Sequence, residues 1–240
     1  RATGMGRYAA ILGILCLTRI KRHKSAVFWA VIVAGCLVFV VFSGSRSPLI
    51  ALLGASAVIA WIKIKSKITL LSLVLVVLIA LWPIGVYDAI WEILTRGEGF
   101  DFTLTYRTTT WSMAMERIIN VSPLIGYGFQ ADRAFLDGLH MHNAFFMALA
   151  QAGYLGVTMW VFALLLTILF MVLIYKQEIT VNLRSTSVDV YAIMAFSLIL
   201  SITEGTFAFF GNMWLITAPI IAYSHLSYLR YRRSKIVKIT

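Results

Sequence analysis

A chain of 240 residues that is 60% apolar and only 13% charged is not an ordinary soluble domain, which carries about 25% charged and roughly 45–50% apolar residues; lipid must cover the excess apolar surface. The formal charge of +11 raises nucleic acid as a partner. However, the basic residues sit in short clusters between apolar runs, with no basic patch interleaved with base-stacking aromatics, so nucleic-acid binding is set aside and a membrane-spanning chain is indicated.

Seven apolar segments follow one another, at roughly 6–18, 26–43, 47–62, 68–86, 144–175, 189–203 and 212–229. A full span needs about 20 residues, so the first, third and sixth are short. Together they predict an all-α, polytopic transmembrane helical bundle of about seven spans, forming a single transmembrane domain over 1–240. Cys16 and Cys36 fall inside apolar runs and read as small core residues, neither a disulfide nor a metal pair. The chain starts at Arg1 without a methionine or a signal peptide and reads as a C-terminal fragment with upstream spans missing.

The loops set the expected orientation. Arg19, Lys21, Arg22, Lys24, Lys63, Lys65, Lys67, Lys176, Arg184, Arg230, Arg232, Arg233, Lys235 and Lys238 fall on one side, 14 of the 21 basic residues; Arg1, Arg7, Arg46, Arg96, Arg107, Arg117 and Arg133 fall on the other. The richer side is expected in the cytoplasm, which puts the N-terminus of this chain outside and the C-terminus inside a bacterial inner membrane. The outer side holds no lysine, so its arginines serve another purpose.

Between the fourth and fifth segments lies a long external loop, 87–143. Long loops are uncommon unless functional or disordered, and this one has too many aromatics for disorder. Within it, Thr105 to Asn120 has helical spacing, with Trp111, Met115, Ile118 and Ile119 on one apolar stripe, threonines 105, 108 and 109 as starting caps, and Pro123 and Gly126 as the stop. This predicts an interfacial helix lying on the bilayer. The fifth segment, at about 48 Å for its length, exceeds the ~30 Å hydrocarbon core; it tilts, projects, or breaks near Gly153 and Gly156.

Several external features carry candidate chemistry. In Ser43-Gly44-Ser45-Arg46-Ser47-Pro48, Arg46 at a helix N-terminus makes an anion site, or else the segment is a plain hairpin with an arginine among headgroups. Arg107 and Trp111, one turn apart, either grip a phosphate and stack on a sugar or snorkel together at the interface. Tyr127 lies in Gly126-Tyr127-Gly128-Phe129, and His140-Met141-His142-Asn143 opens the fifth segment. A histidine at the mouth of a span can act as a general base, or simply begin a helix. His140 with His142 is a weak metal pair, since no other external histidine or cysteine completes a set. Glu204, at the outer end of the sixth segment, needs a partner at that depth; it is either structural or orients a catalytic group. No P-loop, nucleophile elbow, dinucleotide fingerprint or metalloprotease helix is present.

The ordered set Ser45-Arg46, Arg107-x-x-x-Trp111, Pro123-Leu124-Ile125-Gly126-Tyr127-Gly128, His142-Asn143 and Gly153-x-x-Gly156 resembles the O-antigen ligase/polymerase superfamily over residues 40–160. That resemblance implies a GT-C-like glycosyltransferase. The donor would be a glycan on undecaprenyl pyrophosphate; the acceptor would be another glycan, lipid A-core or a protein. It implies a metal-independent, inverting reaction without cofactor. Arg46 and Arg107 would hold the pyrophosphate and His142 would serve as base, with Trp111, Tyr127, His140, Asn143 and Glu204 as further substrate contacts. Family members usually have more spans than this chain shows. The competing class is a polytopic transporter component, which would need mid-membrane charge that the spans almost lack.

Overall fold

The computed structural model describes residues 2–20, 26–64, 66, 107–129, 131, 133, 140–178, 185–204, 218–219, 222–223 and 226. Among them the regular structure is helical: α1 (Ala2–Leu17), α2 (Ala26–Phe42), α3 (Arg46–Lys63), α4 (Arg107–Val121), α5 (Ala144–Glu178) and α6 (Ser185–Thr203). Five expected apolar segments are thus helices, with ends close to those read from hydropathy. The fourth, 68–86, lies outside the described residues; of the seventh, 212–229, only isolated positions are described, and loop residues 87–106 and most of 130–139 also lie outside.

Arg46–Lys63 and Ala144–Leu173 are long and apolar enough to cross a bilayer; Gly4–Leu17, Ala26–Phe42 and Val188–Ile202 are shorter apolar helices. Met159 and Phe162 on α5 are 66% and 63% exposed, a surface suited to lipid and penalised in water. This is a helical membrane protein. The chain divides into two compact units, Arg1–Thr105 with Tyr191–Phe196, and Tyr106–Val190 with Ser197–Thr240.

In the first unit α1 packs against α2 and α3. Small residues let α1 approach α2 closely: a Cβ on Gly6 would stand 2.6 Å from Ser43 Oγ, and one on Gly13 would stand 3.3 Å from Cys36 Cβ. Cys16 and Cys36 are free and buried, as apolar filling. α2 ends where Gly44 turns left-handed (φ 62°), with Ser43 N–H and Gly44 N–H donating to the Phe39 and Val41 carbonyls at 2.9 and 3.0 Å. Ser45 then starts α3 without a side-chain cap, and Pro48 sits buried in the first turn, where its missing N–H costs nothing. At the other end of α3, Lys63 Nζ donates to the Thr18 carbonyl at 2.7 Å, while Arg19 donates to the Leu15 carbonyl. The C-termini of α1 and α3 therefore share one end, where Lys63 and Arg19 both sit on the last carbonyls of α1.

In the second unit α4 packs along α5. The expected helix is present, but its apolar face is shifted. Ala114 and Ile118 are buried with Trp111 and Met115 packed beside them, whereas Ile119 is 49% exposed. Ala148, Leu149 and Val157 of α5 belong to the same cluster, so protein covers the stripe that the sequence reading gave to the bilayer.

The fifth segment breaks at Gly153 (φ 62°, ψ −166°). The break frees the carbonyls of Ala150 and Gln151 and the amides of Tyr154 and Leu155, which an unbroken helix would pair with one another. The loop after α4 enters the gap and pairs with all four. Tyr127 N–H donates to Ala150 O at 2.8 Å and Gly128 N–H to Gln151 O at 2.9 Å; Tyr154 N–H donates to Pro123 O at 2.8 Å and Leu155 N–H to Leu124 O at 3.1 Å. Glycine is required on both sides of this contact. A Cβ on Gly153 would stand 2.4 Å from the Leu124 carbonyl carbon and oxygen, and one on Gly126 (φ 68°) would stand 2.6 Å from Gly153 N. Gly156 is needed because its Cβ would stand 2.1 Å from that of Ala152.

Gly153→Ala should therefore destabilise the protein by about 2–4 kcal/mol, lowering Tm in detergent by roughly 5–15 °C. Gly128→Ala, at φ 88° with nothing within 4 Å, should cost only about 1 kcal/mol. Equal melting temperatures for the two variants would contradict the pairing.

Candidate functional site

The candidate site of the second unit forms where the chain enters α5. Trp111 of α4 donates its indole N–H to the Met141 carbonyl at 2.6 Å, and its ring stacks on Phe146 at 5.0 Å between centroids. Met141 itself is fully buried. The irregular segment before α5 is thus pinned one residue ahead of His142. Trp111's edge and one face are engaged by its own chain.

Asn143 is the N-cap of α5: its Oδ1 accepts from Phe145 N–H at 2.9 Å and from Phe146 N–H at 3.1 Å. Its Nδ2 donates to the Ile202 carbonyl at 2.8 Å, in the last turn of α6. One amide therefore satisfies orphan groups at the start of one helix and the end of another, and it ties the two ends together.

His142 lies between these anchors. Its backbone is left-handed (φ 47°), the one described non-glycine residue with positive φ, a conformation that costs energy unless the surroundings hold it. Two contacts do so. The His142 N–H donates to His140 Nδ1 at 3.0 Å, with the two rings 4.7 Å apart. Its own Nδ1 lies 3.3 Å from Glu204 Oε2, and the carboxylate side chain is 8% exposed while the imidazole is 41% exposed. The ring lies between a buried carboxylate and open surroundings.

Of the sequence candidates, His140, His142, Asn143 and Glu204 come together here, and Trp111 braces them. Tyr127 sits in the loop that fills the α5 break, its hydroxyl donating to the Arg117 carbonyl at 3.0 Å. Arg107 is the first residue of α4, one turn before Trp111. Arg46 belongs to the first unit, at the uncapped N-terminus of α3, where its Nε is buried with no hydrogen-bond partner. Among the described residues no group of three or more His, Cys, Asp or Glu is placed to hold a metal ion.

Sequence reasoning passed over Gln151. It is 6% exposed, next to the break, and both its amide atoms are buried without a hydrogen-bond partner. Leaving such a group unmet costs about 1–3 kcal/mol. The available signal was a lone amide within Ala144–Gly153, an otherwise apolar run.

No curated protein and no solved structure matches the chain. A family model described as O-antigen ligase matches residues 29–161, a stretch from α2 through the broken part of α5 that takes in Arg46, Arg107, the inserted loop and His142. With more than half of its length under that model, the chain belongs to the O-antigen ligase family, integral membrane proteins whose activity is glycosyl transfer.

Proposed function

We propose that this protein transfers a glycan from undecaprenyl pyrophosphate to an acceptor hydroxyl on the periplasmic face of the bacterial inner membrane, as an O-antigen ligase or a surface-polysaccharide polymerase. The observation that carries this reading is the strained, braced His142 imidazole with a buried carboxylate behind it, inside a chain of the O-antigen ligase family.

The chemistry divides among few groups. Arg46 and Arg107 hold the pyrophosphate, because a guanidinium offers a planar fork of donors that fits phosphate oxygens and remains charged at any working pH. For Arg46, the uncapped first turn of α3 adds amides and the positive end of the helix dipole. As the bond from the anomeric carbon to the phosphate oxygen lengthens, charge builds on the departing pyrophosphate and both arginines stabilise it. His142 accepts the proton of the acceptor hydroxyl as that oxygen attacks from the opposite face, which inverts the anomeric centre. Tyr127, His140 and Asn143 shape the acceptor side. The reaction needs no metal, because the arginines supply the positive charge. The acceptor is lipid A-core, a protein or a further glycan unit, presented at the surface of the membrane lipid.

Arg46→Ala, Arg107→Ala and His142→Ala should each lower transfer in membranes at least 100-fold, the scale of losing one transition-state charge or base, while the protein stays in the membrane fraction. Arg46→Lys and Arg107→Lys should recover less than a tenth of wild-type activity if two-point phosphate binding matters; full activity in lysine variants would reduce the arginines to plain charges. Transfer should persist in excess EDTA, and its loss there, restored by a divalent ion, would refute the metal-free mechanism. Surface-glycan gels of a deletion strain would separate the two reactions: accumulated lipid-linked polymer marks a ligase, and a single repeat unit marks a polymerase.

A further inference from the structure

Resting on the reading of His142 as the base, we propose that Glu204 is a positioning residue: it holds Nδ1–H of His142 so that Nε2 is the nitrogen offered to the acceptor hydroxyl. The two residues are 62 positions apart in the chain, and sequence alone left Glu204 open between a structural partner and a guide for a catalytic group.

Three features support the assignment. First, a hydrogen bond beside the pair helps to fix it. The Asn143 side chain is bonded to the Ile202 carbonyl at 2.8 Å, so the residues next to His142 and just before Glu204 are tied independently of the imidazole. Second, exposure is lopsided, with the carboxylate 8% and the imidazole 41% exposed. A pair serving only to neutralise charge has no need to leave one partner open, whereas a base must reach its substrate. Third, the Nδ1 of His140 accepts the His142 N–H, which stabilises the left-handed backbone at His142 and sets the direction in which its ring leaves the chain.

A neutral imidazole donates from one nitrogen and accepts at the other, and the partner of the first nitrogen decides which. With Nδ1–H directed at Glu204 Oε2, the lone pair resides on Nε2. When the acceptor oxygen bonds to the anomeric carbon, its proton passes to Nε2, and the electrons of the breaking glycosidic bond leave on the pyrophosphate. The ring becomes an imidazolium, and the buried carboxylate stabilises that charge without taking a proton itself.

The test is a double-mutant cycle in membranes, with the lipid-linked glycan as donor and initial rates followed alongside protein level and Tm. Glu204→Gln should lower kcat 10- to 100-fold, the range for removing a partner that orients a functional histidine, with KM for the donor changed less than two-fold. Glu204→Asp, which keeps the charge on a shorter stem, should recover at least a few-fold over glutamine. In a His142→Ala background neither substitution should lower the residual rate further, since Glu204 acts through the imidazole. Should Glu204→Gln fail to fold, the same cycle is run with Glu204→Asp, whose smaller loss must likewise vanish in the alanine background. Wild-type kcat in the glutamine variant, or an equal loss with and without His142, would overturn the positioning role while leaving His142 as base. Full activity of His142→Ala alone would instead overturn the reading beneath it.

Discussion

A membrane helix that stops being helical at one residue leaves two carbonyls and two amides without partners, and lipid offers no water to receive them. In α5 those groups belong to Ala150, Gln151, Tyr154 and Leu155, and the loop from Pro123 to Gly128 takes all four. The site depends on this exchange. It fixes the N-terminal half of α5 against α4, and that half carries the segment from His140 to Asn143. The contact is almost wholly backbone on backbone, which is why it needs a glycine on each side and tolerates no Cβ at either.

The candidate base is then held by layers of restraint. Burial of Ala114, Ile118, Leu149 and Met141 locks α4 to the beginning of α5, and Trp111 turns that packing into a directed bond on the Met141 carbonyl. Asn143 caps α5 and grips the end of α6. A left-handed histidine persists here because each neighbour is fixed by something other than the histidine. Such preorganisation suits catalysis, since a group held in place loses no freedom as the reaction proceeds.

Much of this was legible in the chain, and for local reasons. Hydropathy runs found α1, α2, α3, α5 and α6, and apolar spacing with Pro123 as a stop found α4 nearly to the residue. The break in α5 was one of three readings of an overlong apolar run, and Gly153 settled it. Residues that meet across long stretches of chain were not legible. Nothing near Glu204 names His142, and nothing near Asn143 names Ile202. Trp111 read either as a sugar contact or as an interfacial anchor, and its use as a hydrogen-bond donor to a distant carbonyl leaves no trace in spacing. Ile119 was grouped with Trp111, Met115 and Ile118 because a stripe one residue too wide is still helical, yet it stands outside their buried cluster. The inserted loop was hardest of all: Gly126 and Gly153 each signal a turn, but their pairing is a property of backbones, and backbones are the same for every sequence.

That last property frees the loop's side chains. Leu124 and Ile125 stand 69% and 71% exposed at its tip, while the four bonds that seat the loop in the α5 break use only main-chain atoms. Natural drift can therefore vary these two exposed apolar side chains without disturbing the main-chain bonds beneath the histidine's segment. The loop's length has no such latitude: one inserted residue would move its donors out of step with α5 and leave the gap unsealed.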